Sequence, residues 1–131
     1  MFIFIGPSTE NIEYENLLKK KSNNIYDFFG KLSIIEIFKL MQISDYFIGN
    51  DSGLMHMAAL ANIKTIGLFG PSNSSKYGPW GKGNLVISSP RTPDQLMGFK
   101  GFNAKKSGSL MLDLKTDDVL KKILNYSRSN E

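Results

Sequence analysis

Four short apolar runs, three of them closing on a glycine turn and each separated from the next by a segment of helical character, constrain this chain more than any other feature. Met1 to Ile5 stops at Gly6-Pro7, the run NIYDFFG at Gly30, DYFIGN just before Asp51, and KTIGLFG at Gly70-Pro71. Runs this short, bounded by turn residues, read as buried strands. Between them, Thr9 to Lys21 carries Ile12, Leu17 and Leu18 among charges and reads as a surface helix. Ser33 and Glu36 have capping-box spacing ahead of a helix from about Ile34 to Gln42. Its apolar set of Ile34, Ile35, Ile37, Phe38, Leu40 and Met41 is broad enough to lie flat on a sheet. SGLMHMAALA is the third helix, with Ala58, Ala59 and Ala61 suited to close packing on strands. Such alternation predicts an α/β fold, a Rossmann-like parallel sheet with helices on both faces and right-handed crossovers.

Beyond Pro71 the pattern loosens. SNSSKYGPWGKG reads as a loop, NLVIS as a fifth strand, and Ser89 to Gly108 as a polar excursion without period. A last helix is expected from Thr116 as cap, with Asp117 and Asp118 in its first turn, a buried stripe of Val119, Leu120, Ile123 and Leu124, and Lys121, Lys122 and Arg128 toward its end. The length of 131 residues suits one domain, residues 1–131. The apolar runs fall short of the roughly 20 residues of a membrane span. MFIFIG lacks the basic start and length of a signal peptide. Without cysteine the chain has no disulfide, thiolate metal site or cysteine nucleophile, and a reducing cytoplasm suits it. Sixteen basic against twelve acidic residues give a net charge of +4, which suits an anionic ligand or lipid surface as well as a mildly basic solvated one. Nucleic acid is not expected, because the lysines are scattered and not interleaved with aromatics.

The stretch DYFIGNDSGLMHMAALANIKTIGLFGPS holds the chain's single histidine. In an open parallel sheet, ligands sit beyond the carboxyl ends of the strands. A helix that begins at Ser52-Gly53 would point its free N–H groups and positive dipole end into that crevice, where they can hold a phosphate. Gly53 lets the phosphate approach the backbone, Ser52 adds a hydroxyl, and His56 lies one turn further in. Asp51 would repel a phosphate, and suits sugar hydroxyls or the orientation of His56. The same residues also admit a structural reading, with Asp51 or Ser52 as an N-cap, Gly53 as a packing glycine and His56 as a satisfied side chain.

The run SDYFIGNDSGLMHMAALANIKTIGLFGPSNSSKYGPWG resembles the signature segment of the family 9 glycosyltransferases, the lipopolysaccharide heptosyltransferases and their relatives. The shared elements are Asp51, Ser52, Gly53, His56, Ala58, Ala59, Phe69, Gly70 and Pro71, followed by Tyr77-Gly78-Pro79. Weaker resemblance extends to GPSTE, to FFGKLSIIEIFKLM and to LMLDLKTDDVLKKI. It implies the C-terminal, nucleotide-sugar-binding half of a GT-B fold, with the N-terminal acceptor domain and the first strand of this domain absent. Carried over, Asp51, Ser52, Gly53 and His56 would hold the donor diphosphate and nearby sugar, with Asp51 and His56 in supporting catalytic roles. Glu10 would meet the ribose, the backbone of Phe29 to Lys31 the base, and Lys31 the phosphates; Glu10 also suits the dipole at the start of a helix, and Lys31 a solvated turn.

The implied donor is a nucleotide-diphosphate sugar, an ADP-sugar in preference to UDP or GDP, with a glycan or lipid-linked acceptor. A partner domain or homo-oligomer would complete the apparatus. No cofactor and no metal are expected, because no DxD-type acidic pair is present. A cytoplasmic place is expected, with a peripheral position at the inner membrane as one option, and Arg91, Lys100, Lys105 and Lys106 suit an anionic acceptor or that membrane surface as well as a solvated loop. Two other classes stay open: a non-catalytic nucleotide-binding or interaction remnant, and a sugar-nucleotide epimerase or hydrolase using Asp51 and His56.

Overall fold

The computed structural model describes residues 1–10, 14–15, 19, 24–103 and 106–129. The chain divides into two compact units, Met1–Leu40 and Met41–Glu131.

In the first unit, β1 (Phe2–Phe4) pairs in parallel with β2 (Ile25–Asp27), Ile3 facing Tyr26. A 3-10 turn follows β1 at Ser8–Glu10. Most of the helix expected over 9–21 lies outside the described residues. The rings of Phe4, Tyr14 and Phe29 pack with centroids 5.3 to 6.3 Å apart, Phe29 stacked on each of the other two, and Phe29 is buried. Gly30 needs its glycine: its φ is +65°, and a Cβ there would lie 2.7 Å from that of Ser8.

Helix α1 (Ile34–Gln42) starts with the expected capping box. Glu36 accepts from the Ser33 N–H at 2.8 Å and hydroxyl at 2.6 Å, while the Ser33 oxygen accepts from the Glu36 N–H at 3.3 Å. Its buried face is narrower than expected. Ile37 and Met41, one turn apart, are buried, whereas Ile34 and Ile35, in the first turn, stand in solvent.

The second unit is built on a parallel sheet ordered β3-β4-β5, from β3 (Tyr46–Asn50), β4 (Lys64–Phe69) and β5 (Leu85–Ser88). Register runs from Tyr46 opposite Lys64 to Asn50 opposite Leu68, and from Ile66 opposite Leu85 to Phe69 opposite Ser88. Thr65, Ile66, Gly67 and Phe69 of β4 are all buried, so this central strand is covered on both faces, as a parallel strand must be. Helix α2 (Gly53–Leu60) is the crossover that packs on β3 and β4. Its Met55 and Ala58 are fully buried. A Cβ on Gly67 would lie 2.7 Å from the Met55 sulfur, so the glycine lets helix and strand meet.

Three features differ from the sequence expectation. The loop after Pro71 contains a one-turn helix, α3 (Ser74–Tyr77), capped by the Asn73 carboxamide, which accepts from the Ser75 N–H at 3.0 Å. The excursion after Ser89 contains α4 (Pro93–Met97), opened by a Thr92/Gln95 capping box with Pro93 in its first turn. In α5 (Thr116–Arg128) the cap is Lys115, without a side-chain bond, and Thr116 is already helical. Leu120 and Leu124 of its expected buried stripe are exposed, while Val119 and Ile123 are half-buried.

Candidate functional site

The chain leaves β3 at Asn50, passes Asp51, and enters α2 through Ser52, whose φ of −159° and ψ of 166° are extended. That geometry makes Ser52 an N-cap. Its hydroxyl accepts from the Met55 N–H at 3.4 Å, and its carbonyl from the amides of Met55 at 3.1 Å and His56 at 3.3 Å. The amides of Gly53 and Leu54, in the first turn, have no intrahelical acceptor. The helix dipole adds a partial positive charge there, which favours an anion by about 0.3–1 kcal/mol in an exposed setting.

Gly53 differs from the packing glycine at position 67. A Cβ built on it meets nothing within 4 Å, and its backbone is not in the left-handed region. Neither the fold around it nor its own torsion requires glycine. The packing role allowed for it from the sequence is therefore replaced by open space above the first turn of α2.

His56 lies on the exposed side of that turn. Its Nε2 is 3.9 Å from Oδ1 of Asp51, with the two side chains 47% and 24% exposed. At that separation they attract when the imidazole is protonated, and a hydrogen bond is not formed. Asp51, Ser52, Gly53 and His56 are thus brought together at one strand tip.

Glu10 and Lys31 belong to the first unit, where both follow carboxyl ends of adjacent parallel strands. Glu10 is exposed at the end of the 3-10 turn, its N–H donating to the Pro7 carbonyl at 3.0 Å. The Lys31 ammonium is engaged: it donates to the Asp27 carboxylate at 2.7 Å and to the Asp27 carbonyl at 2.9 Å. Lys31, with an added bond from the Phe29 N–H, holds the Asp27 carboxyl below its ordinary range. The amides of Phe29, Gly30 and Lys31 are all used inside the unit, on Asp27, Gly6 and Phe28 respectively. A base bound there would meet carbonyls and side chains in place of N–H donors. Asp27 was not singled out from the sequence, although Asp27 and Lys31 stand four residues apart around Gly30.

Of the four cations of the polar excursion, Arg91 pairs with Asp113, Lys100 and Lys106 are exposed, and Lys105 lies outside the described residues. Among the described residues, no group of three or more His, Asp and Glu side chains is placed to hold a metal ion. No helix among them is long and apolar enough to cross a membrane.

Comparison with known proteins bears on the same segments. Residues 1–100 match the family model described as glycosyltransferase family 9 (heptosyltransferase). Over 75 residues the chain is 32% identical to lipooligosaccharide heptosyltransferase 2 of Campylobacter jejuni subsp. jejuni, from serotypes O:2 and O:6 alike. That match covers 57% of this chain and 24% of each relative, so the chain spans about a quarter of their length. The crystal structure of a family 9 glycosyl transferase from Veillonella parvula superposes with a TM-score of 0.72 at 18% identity, covering 95% of this chain and 35% of that one. The superposition establishes the Rossmann-like α/β fold. With 100 of its 131 residues matched by the family model, this chain belongs to glycosyltransferase family 9.

Proposed function

We propose that residues 1–131 act as a single domain that binds the nucleotide-diphosphate sugar of a glycosyltransferase, an ADP-heptose-like donor destined for a lipopolysaccharide or related glycan acceptor. The observation that carries this reading is the start of α2. Gly53 is a glycine that neither packing nor backbone torsion requires, beside unpaired amides, a serine cap and a half-exposed histidine. A diphosphate laid there needs the absent Cβ. The Campylobacter relatives, named as heptosyltransferases, support a sugar donor of that class.

In the reaction, an acceptor hydroxyl attacks the anomeric carbon as the bond from that carbon to the diphosphate oxygen breaks. The hydroxyl proton passes to a base, which the family resemblance assigns to the acceptor-binding half. The first-turn amides of α2 meet the charge that grows on the departing diphosphate, which is electrostatic transition-state stabilisation. His56, when protonated, offsets part of that charge, and Asp51 is suited to sugar hydroxyls and to holding the imidazole near the site. Glu10 accepts from ribose hydroxyls. For Lys31 to reach a phosphate it must leave Asp27. A lipid-linked acceptor would have the protein work in the cytoplasm against the inner membrane.

Calorimetric titration with ADP, UDP and GDP tests the reading, repeated on Gly53→Asp. Saturable binding of ADP that the variant loses is the expected result, because the new carboxylate occupies and repels the phosphate position without touching the core. Equal binding by both proteins would place the nucleotide elsewhere, and no binding at millimolar nucleotide would reduce the signature to fold.

A further inference from the structure

Each loop that feeds the amino end of the three-stranded sheet presents a large apolar side chain to solvent. Ile43, ahead of β3, is 83% exposed; Leu60, at the end of α2 and ahead of β4, is 77% exposed; and Trp80, ahead of β5, is 88% exposed. Because β3, β4 and β5 are parallel and adjacent, these side chains belong to one edge, opposite the carboxyl tips where Asp51 and Ser52 lie. Strand spacing of about 4.8 Å puts the three loops within roughly 10 Å across the sheet.

Lysines share that edge. Lys64, the first residue of β4, extends over the Tyr46 ring, its Nζ 5.3 Å from the centroid, and Lys82 follows Trp80. Asp45, just ahead of β3, brings one opposite charge to the same edge. The Trp80 loop is held in place. Asn84 accepts from the Thr65 N–H at 3.1 Å and donates to the Trp80 carbonyl at 2.7 Å, the Tyr126 hydroxyl donates to the Gly83 carbonyl, and Gly81 and Gly83 adopt positive φ. A loop fixed at this many points holds its tryptophan outward.

We propose that this edge is a docking surface for an anionic lipid bilayer. Three separate apolar tips suit insertion among headgroups better than the shaped face of a protein. Tryptophan and tyrosine with lysine beside them form the combination that settles at membrane interfaces, rings at headgroup depth and ammonium groups on lipid phosphates. The surface lies away from the nucleotide site; it deepens the reading that the protein works against a membrane and does not depend on nucleotide binding.

Trp80 is the chain's only tryptophan, so its fluorescence reports this edge alone. The full chain is mixed with vesicles of phosphatidylcholine containing phosphatidylglycerol, and with vesicles of phosphatidylcholine only. The expected result is co-sedimentation with the anionic vesicles, a blue shift of Trp80 emission on binding, and weakening by salt. Lys82→Gln should weaken binding about fivefold, the effect of one surface lysine. Sedimentation with no shift would assign lipid binding to another surface, and neither sedimentation nor shift would remove it; either overturns the proposal. A shift that grows with protein concentration without vesicles would also overturn it, in favour of a second copy. Nucleotide titration in vesicle-free buffer separates this outcome from failure of the donor site.

Discussion

Two glycines of the second unit carry opposite demands. Gly67 sits under Met55, where a Cβ would lie 2.7 Å from its sulfur and 2.8 Å from the Phe69 ring, while Gly53 faces nothing. Gly67→Ala should therefore destabilise the protein by about 1–3 kcal/mol, the usual cost of overpacking a filled core. Gly53→Ala should leave stability unchanged or raise it by up to about 1 kcal/mol, since alanine is the better helix former. Urea unfolding followed by circular dichroism separates the two, and equal losses at both positions would contradict the contrast. The sequence displayed the signature residues Asp51, Ser52, Gly53 and His56, because a strand tip feeding a helix reads directly from pattern. It did not display which glycine was held by neighbours and which stood open, because that depends on what folds over each. The engagement of Lys31 by Asp27 was hidden for a related reason: the Gly30 turn that joins them is set by contact with Ser8.

Among the elements, the strands and the helices α1 and α2 are legible because short apolar runs and capping residues are local signals. The Ser33/Glu36 box was read from spacing, and the same spacing in Thr92/Gln95 passed unread because α4 is only five residues long and offers no apolar period to confirm it. Thr116 misled as a cap, since Lys115 holds the extended backbone and threonine has already entered the helix. The Ser33/Glu36 box also carries a pH dependence. The Ser33 hydroxyl, then its N–H, holds the Glu36 carboxyl below its ordinary value. A carboxyl depressed in the folded state adds stability above its unfolded pKa of about 4.3, and that stability is lost as pH falls through the folded value. Glu36→Gln should thus melt below the wild type near neutral pH, and the gap should close in acid below about pH 4. Thermal melts at the two conditions measure it; a gap independent of pH would assign the effect to helix propensity.

Across the whole molecule, every described ladder is parallel. No two paired strands here can close through a tight hairpin, and β3 must wait for the length of α2 before it finds β4. Each pairing therefore bears loop-closure entropy before any ladder bond forms, so folding should be slow for the chain's size, on the millisecond-to-second scale. Substitutions that weaken α2 against β4 should slow folding more than they speed unfolding, whereas changes in α5 should act mainly on unfolding. Stopped-flow chevrons on Ala58→Gly and Leu124→Ala would show this, and identical folding limbs for both would refute it. During that wait the apolar run from Tyr46 to Asn50 stands uncharged and unbent, with neither proline nor lysine to discourage a stranger. The same parallel order that places a ligand crevice at the strand tips leaves the nascent chain sticky, and its yield on refolding should fall steeply with concentration.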